Sequence, residues 1–252
     1  MKQTTPKFSV ITVCYNPGDT LPITIESVLE QDYSDLEYLI IDGLSTDGTA
    51  DVLHKYRDAI DVIVSEPDRS LYDAMNKGLA RATGEYVCFL NAGDRFASKD
   101  TVSHAMASVT ESYIPDIIYG ETDLYDLSGN FLRHRRLRAP EQLLKRDFLH
   151  GMLVCHQSFY ARRDICPEYD LQYRFSSDFD WSLKILDKSQ LNHNLHRTVT
   201  HYLSEGMTTR NRKRSLVERF RIMKKHFGTL RTILAHLYFA VRLPYQKLVC
   251  RR

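Results

Sequence analysis

An α/β fold on a mostly parallel sheet flanked by helices is predicted by two observations. Short apolar, β-branched runs at residues 8–15, 38–42, 60–64 and 86–90 read as strands buried on both faces. Between them lie segments whose apolar residues recur at helical spacing, so strand and helix alternate as in βαβ units. Size and composition agree. The chain has 252 residues, 43% of them hydrophobic and 26% charged. Those values suit one globular domain with a small appendage and exclude disordered, collagen-like and disulfide-scaffold classes.

The elements follow in order. Asn16 to Asp19 breaks the first strand, and Leu21, Ile25, Val28 and Leu29 then mark a helix. The strand at 38–42 runs into a polar turn at 43–48, where Ser45, Thr46 and Asp47 are natural N-cap residues for a helix at 50–56. A strand at 60–64, a helix at 71–82 and a strand at 86–90 complete the regular part. Beyond Asp94 the pattern loosens. Short strands are expected at 117–119, 131–135 and 158–160, and helices at 140–148 and 178–186. From about residue 205 the chain reads as basic helix.

Charge is unevenly spread. Residues 210–252 hold 13 Lys and Arg against one acid, Glu218, a surplus of 12 positive charges, while residues 1–209 carry a net charge of −10. Two units are therefore expected, 1–209 and 210–252, facing different partners. The five cysteines (Cys14, Cys88, Cys155, Cys166, Cys250) are odd in number, widely spaced and without CxxC or zinc spacing, which points to free core thiols and a reducing, cytoplasmic setting. The first eight residues lack an apolar signal core. No run reaches the roughly 18 apolar residues that a membrane span requires.

Parallel sheets bind ligands at the carboxyl ends of their strands. Four such ends carry acids or amides: Tyr15-Asn16, Asp42, Glu66 to Asp68, and Asn91 to Asp94. A GxGxxG loop, a GxxxxGK[ST] loop and a GxSxG elbow are all absent, which argues against a dinucleotide fold, a P-loop and a serine hydrolase. Asn91-Ala-Gly-Asp94 reads either as a plain turn or as a carboxylate for a hard divalent ion. Asp42 closes an apolar strand and is free to accept from a base N–H. Asp68 and Arg69 suit a nucleotide contact, and Asp73 and Lys77 suit a helix-face pair.

Taken together, residues 9–16, 41–49, 65–78, 89–94, His156-Gln157 and 169–180 resemble family-2 glycosyltransferases with the GT-A fold, and among them enzymes of colanic acid and other exopolysaccharide synthesis. The likeness spans roughly residues 8–209. It implies an inverting transfer from a nucleoside-diphosphate sugar, a UDP-sugar above all, to a saccharide or polyprenyl-diphosphate-linked acceptor. It implies that Tyr15, Asn16, Asp42, Asp68, Arg69 and Asn76 hold the donor nucleotide. It implies Mn²⁺ or Mg²⁺ at Asp94 and Asp178 as general base, with Asp180 its competitor. His156, Gln157, Asp180 and His201 fall in the acceptor or pyrophosphate region. The chemistry is coherent, since direct displacement needs one base and a metal to neutralise the departing diphosphate.

Two departures stand out. Asn91 occupies a position where many relatives have Asp, and Ser204 to Thr209 holds one Gly where relatives carry a Gly-Gly-Ser turn. Rival readings are a nucleotidylyltransferase, which wants a Gly-rich basic loop that Asn16 to Asp19 lacks, and a non-catalytic nucleotide-sugar-binding or scaffolding protein. The basic, amphipathic tail suits an anionic membrane surface; the alternative is a charged helix folded back on the acidic body. Nucleic acid is not an expected partner, as no nucleic-acid module accompanies the charge. The protein is thus expected on the inner face of the cytoplasmic membrane.

Overall fold

The computed structural model describes residues 5–204 and 211–249. The expected N-terminal alternation is present: β1 (Phe8–Cys14), α1 (Thr20–Leu29), β2 (Leu36–Asp42), α2 (Thr49–Tyr56), β3 (Val62–Ser65), α3 (Leu71–Arg81) and β4 (Tyr86–Phe89). Then come β5 (Arg95–Phe96), α4 (Thr101–Ala107), β6 (Ile117–Tyr125), β7 (Phe131–His134), β8 (Phe159–Arg162), α5 (Ser177–Lys188) and β9 (Asn192–Leu203). Two helices end the chain, α6 (Arg212–Phe227) and α7 (Thr229–Val249).

One sheet runs through the molecule in the order β3-β2-β1-β4-β8-β6-β9-β5, with β7 added beside β6. Strands β3, β2, β1 and β4 are mutually parallel. The sheet becomes mixed past β4: β8 is antiparallel to both neighbours, and β6 and β9 run parallel again. Every residue of β1 is buried, as a strand covered on both faces requires. One face packs Ile11 and Val13 with Tyr72 and Met75 of α3, Trp181 and Leu183 of α5, and Ile222 and Met223 of α6. The other packs Val10 and Tyr38 with Leu21 and Ile25 of α1, Leu53 of α2, and Val102 and Met106 of α4.

Three differences from expectation have local causes. No α-helix forms at 140–148; a 3-10 turn covers Lys145–His150 instead. Leu143 and Phe148 are both fully buried, yet on one helix they would point about 140° apart. An extended Leu144 lets both reach the core, and its N–H is taken by Asp147 Oδ2 at 2.8 Å. Strand β9 was hidden by its polar residues and by an irregular stretch where His196 adopts φ 53°. Lastly, the basic segment does not stand apart, because Ile222 and Met223 belong to the body's own core. The boundary expected at 209/210 lies outside the described residues, as do Cys250 and most of the turn at 204–209. The four described cysteines are free.

Helix α3 lies tight against β1. A Cβ on Gly78 would collide with Ile11 Cγ2 and stand 3.3 Å from Ile41 Cγ1. Helix propensity alone favours Gly78→Ala by about 1 kcal/mol. The collision reverses the sign, and urea unfolding of this variant is expected to show a loss of about 1–3 kcal/mol. An unchanged or raised midpoint would contradict the close α3–β1 contact.

Candidate active site

The site is built at the carboxyl ends of β1 to β4. Asn16, at φ 48°, ends the β1 turn; its Oδ1 accepts from Thr46 N–H at 2.8 Å and its own N–H donates to Ser45 Oγ at 2.8 Å. Asp42 is 2% exposed. Its carboxylate accepts from the Ser45 N–H and from the Ser45 and Ser65 hydroxyls, at 2.5 to 3.1 Å, so it ties the ends of β2 and β3 together. Of the residues read as caps for α2, Ser45 serves Asp42, while Asp47 accepts from Gly18 N–H and from the Thr49 hydroxyl.

Tyr15 and Asp68 converge over Gly43. A Cβ on Gly43 would stand 3.0 Å from Asp68 Oδ2 and 3.2 Å from the Tyr15 ring. Tyr15 is 67% exposed, a large aromatic surface held at the mouth of the cleft. Asp68 is braced by Lys77 Nζ at 2.6 Å. Arg69 is clamped by Asp73, from Nη2 to Oδ1 at 2.5 Å. The expected Asp73–Lys77 helix pair is therefore replaced by Arg69–Asp73 and Asp68–Lys77. Asn76 does not face this cleft group: its amide donates to Tyr169 O at 3.0 Å and accepts from Tyr169 N–H at 2.7 Å, joining α3 to the loop before α5.

Asp94 lies after β4, beyond Gly93, whose φ of 96° makes the turn. It is 4% exposed. Oδ1 accepts from the Leu203 N–H at 3.0 Å and Oδ2 from Gln157 Nε2 at 2.8 Å. Burial pushes its pKa up to about 7, against the pull of those two donors. Asn91, in the same turn, holds a buried Oδ1 with no hydrogen-bond partner among the described residues. One carboxylate and one spare amide oxygen form an incomplete set of hard donors. Such a set fits Mg²⁺ or Mn²⁺, which binds through one or two protein oxygens and completes its shell with substrate phosphates and water. Among the described residues no group of three His, Cys, Asp or Glu is placed to hold a metal.

Asp178 sits in the first turn of α5, where the helix dipole favours its charge. The Tyr72 hydroxyl donates to its Oδ1 at 3.1 Å. Tyr72 is the functional neighbour that sequence reading passed over; its signal was its inward place on α3. Behind it an aromatic cluster fixes the geometry: Tyr72 stacks on Tyr169, and Tyr169 on Trp181. His156 belongs to this cluster rather than to an open acceptor site. It stacks on Phe89, bonds Tyr169 Oη through Nε2 at 2.5 Å, and burial lowers its pKa to about 4, so it is neutral.

Asp180 points elsewhere too. It is fully buried, with Lys184 Nζ at 2.7 Å and His226 Nε2 at 2.8 Å. Burial works against its charge, but His226 and Lys184 outweigh it and hold the pKa at about 2. Asp180 is the anchor of α6, not a competitor of Asp178. His201 lies against the Tyr125 ring at a tilt of 32° and, with Arg95, lines a cavity of about 610 Å³ next to Gly93 and Leu203. Burial and the Arg95 charge lower its pKa. The contact with Asp94 comes instead from the Leu203 N–H.

Asp94 gives a pH signature. Its pKa is near 3.9 in the unfolded chain and about 7 when folded, so between those values the unfolded state binds fewer protons. Stability therefore declines by up to about 1.4 kcal/mol per pH unit from about pH 4 to 7, then levels off. Urea unfolding of Asp94→Asn is expected to lack this slope. Parallel pH profiles for variant and wild type would contradict the buried carboxylate.

Comparison with known proteins gives three kinds of likeness. The family model for Glycosyl transferase family 2 matches residues 9–169. A PGL/p-HBAD biosynthesis glycosyltransferase of Mycobacterium bovis is 30% identical over 245 residues, covering 95% of this chain and 84% of that protein. Among solved structures, Staphylococcus aureus TarS 1–349 in complex with UDP-GlcNAc aligns with a TM-score of 0.68 at 18% identity, over 86% of this chain and 64% of that one. Mannosyltransferase PcManGT of Pyrobaculum calidifontis, solved with GDP-Man and Mn²⁺, aligns with a TM-score of 0.62 at 17% identity, over 98% and 79%.

Proposed function

This chain belongs to glycosyl transferase family 2 and has a GT-A-like fold, and we propose that it is an inverting transferase. It moves a sugar from a nucleoside diphosphate, most naturally UDP, to a saccharide or polyprenyl-diphosphate-linked acceptor in bacterial surface-glycan synthesis. The observation that carries the reading is two differently held carboxylates, Asp94 in the turn after β4 and Asp178 in the first turn of α5. Asp94 is deeply buried and bonded by neutral donors, whereas Asp178 is partly exposed with a single side-chain bond, from Tyr72. Different environments separate the roles of two acids.

Tyr15 offers a ring to stack a base, with Asp68 beside it to accept from base or ribose. Asp42 shapes this floor by closing the turn that carries Gly43. Asp94, with Asn91, would hold Mn²⁺ or Mg²⁺; when bound, the ion neutralises charge on the departing diphosphate. Asp178 accepts the proton of the attacking acceptor hydroxyl, and the Tyr72 hydroxyl, bonded to Oδ1, orients the carboxylate. Relatives support the substrate class: TarS is solved with UDP-GlcNAc, and the Mycobacterium bovis protein is named a PGL/p-HBAD biosynthesis glycosyltransferase.

The membrane partner has its own support. No helix among the described residues is long and apolar enough to cross a membrane. Yet Leu216, Val217, Leu230, Leu234 and Leu237 are 52 to 72% exposed along α6 and α7. Exposed Lys213, Arg214, Arg221, Lys224 and Arg231 accompany them. Apolar and basic side chains so combined suit the anionic inner face of the cytoplasmic membrane.

Two experiments test these readings. Melting in the presence of UDP-, GDP- and dTDP-sugars is expected to show stabilisation by the UDP-sugar that needs Mn²⁺ and vanishes with chelator. Asp178→Asn should keep that shift and lose transfer by about 10²- to 10⁴-fold. No shift with any donor, or full activity in the variant, would overturn the assignment. In vesicle sedimentation, wild type should bind phosphatidylglycerol-containing but not pure phosphatidylcholine vesicles. Converting Lys213, Arg214, Arg221 and Lys224 to Gln should weaken binding by about tenfold or more; equal binding would remove the membrane role.

A further inference from the structure

Helix α6 presents one face to the body, and nearly every polar group on that face has a partner. Ser215 Oγ meets Ser176 Oγ at 2.9 Å. The Glu218 carboxylate accepts the N–H groups of Arg174 and Phe175 at 3.0 and 2.8 Å. His226 pairs with Asp180. Arg219 lies on the same face, one turn after Ser215 and one turn before the buried Ile222 and Met223. Its Nε is buried and has no hydrogen-bond partner among the described residues. Among the described residues no carboxylate lies within 4 Å of its guanidinium, which rests over the Phe179 ring, 5.6 Å from the centroid.

Phe179 follows Asp178 on α5, and the Arg219 charge acts on the Tyr72 hydroxyl, so α6 brings this cation, without a carboxylate partner among the described residues, close to the Tyr72–Asp178 pair. The Tyr72 hydroxyl is pushed well up by burial and by Asp178, and the Arg219 charge is near enough to pull the other way. A buried donor left without an acceptor is costly, and a guanidinium fork matches the paired oxygens of a phosphate or a carboxylate; of these, the polyprenyl-diphosphate-linked acceptor considered above carries phosphate.

We infer that Arg219 binds a phosphate or diphosphate group of the acceptor and holds it next to Asp178. The inference rests on the reading of Asp178 as the base, because that reading makes this the acceptor side of the cleft. Asp94, the expected donor-diphosphate end, is walled by Gln157 and Leu203, whereas Arg219 adjoins Phe179 and Tyr72. The site thus favours an acceptor whose sugar or lipid is carried on a phosphate over a neutral glycan. It also explains why a tail helix is locked so firmly to α5: it supplies part of the binding site.

The test is calorimetric, with two arms on wild type, Arg219→Gln and Arg219→Lys. In the first arm sodium pyrophosphate is titrated with chelator present, so that the metal-dependent donor site is silent. In the second, UDP is titrated with Mn²⁺. The expected result is a tenfold or greater loss of pyrophosphate affinity in Arg219→Gln, partial recovery in Arg219→Lys, and UDP affinity unchanged within twofold. Failure of wild type to bind pyrophosphate, or equal binding by all three proteins, overturns the proposal. So does a parallel loss of UDP and pyrophosphate, which would place Arg219 at the donor diphosphate. If UDP fails to bind wild type, the donor reading falls and the pyrophosphate arm still decides Arg219. Equal melting temperatures establish that the variants are folded; Arg219→Lys, which keeps the stem and the charge, serves if Arg219→Gln is not.

Discussion

The buried carboxylate of Asp94 is the constraint on which the rest of the structure depends. It joins three distant stretches of chain: the turn after β4, the 3-10 turn holding Gln157, and the end of β9 at Leu203. A carboxyl group 4% exposed and bonded only by neutral donors is expensive to keep ionised. An apolar residue would pack there at lower cost. Its retention makes sense where a cation arrives with the substrate, and the spare oxygen of Asn91 in the same turn is consistent with that arrangement. The parallel strands, by ending side by side, bring Tyr15, Asp42 and Asp68 to the same edge.

Asp178 is positioned by different means. Its helix begins against an aromatic stack of Tyr72, Tyr169 and Trp181, with His156 kept neutral inside it. Two residues on, Asp180 faces the opposite way and binds Lys184 and His226. Two acids on one helix turn are thereby held differently: Asp178 by the Tyr72 hydroxyl, and Asp180 by His226 of α6. This difference is why the basic C-terminal helices are part of the body's packing even though their charge sets them apart. Their outer face, rich in leucine and basic side chains, is left for another surface.

The parallel half of the fold was legible because β1, β2 and β4 are largely apolar, as strands buried on both faces are. The second half was legible in part: the strands expected at 117–119, 131–135 and 158–160 and the helix at 178–186 are present as β6, β7, β8 and α5. Strand β9 was masked by its run of polar residues, and the segment at 140–148 surrenders its helical pattern so that Leu143 and Phe148 can both be buried. The site was partly legible. Acids at strand ends pointed to Asp42, Asp68 and Asp94, while Asp178 was singled out only by the resemblance to family-2 glycosyltransferases. What sequence could not give was direction: Asn76 turns to Tyr169, His156 turns into the core, and Asp180 turns to the tail. Those outcomes depend on partners 13 to 93 positions away, which no local pattern encodes.

The most direct test of the account is a crystal structure of the protein with UDP and Mn²⁺, located by manganese anomalous scattering. The account predicts a manganese peak on the Asp94 carboxylate, diphosphate oxygens bound to the ion, and the uracil ring against Tyr15 beside Asp68. Manganese bound away from Asp94, or a nucleotide seated outside the strand-end cleft, would contradict it.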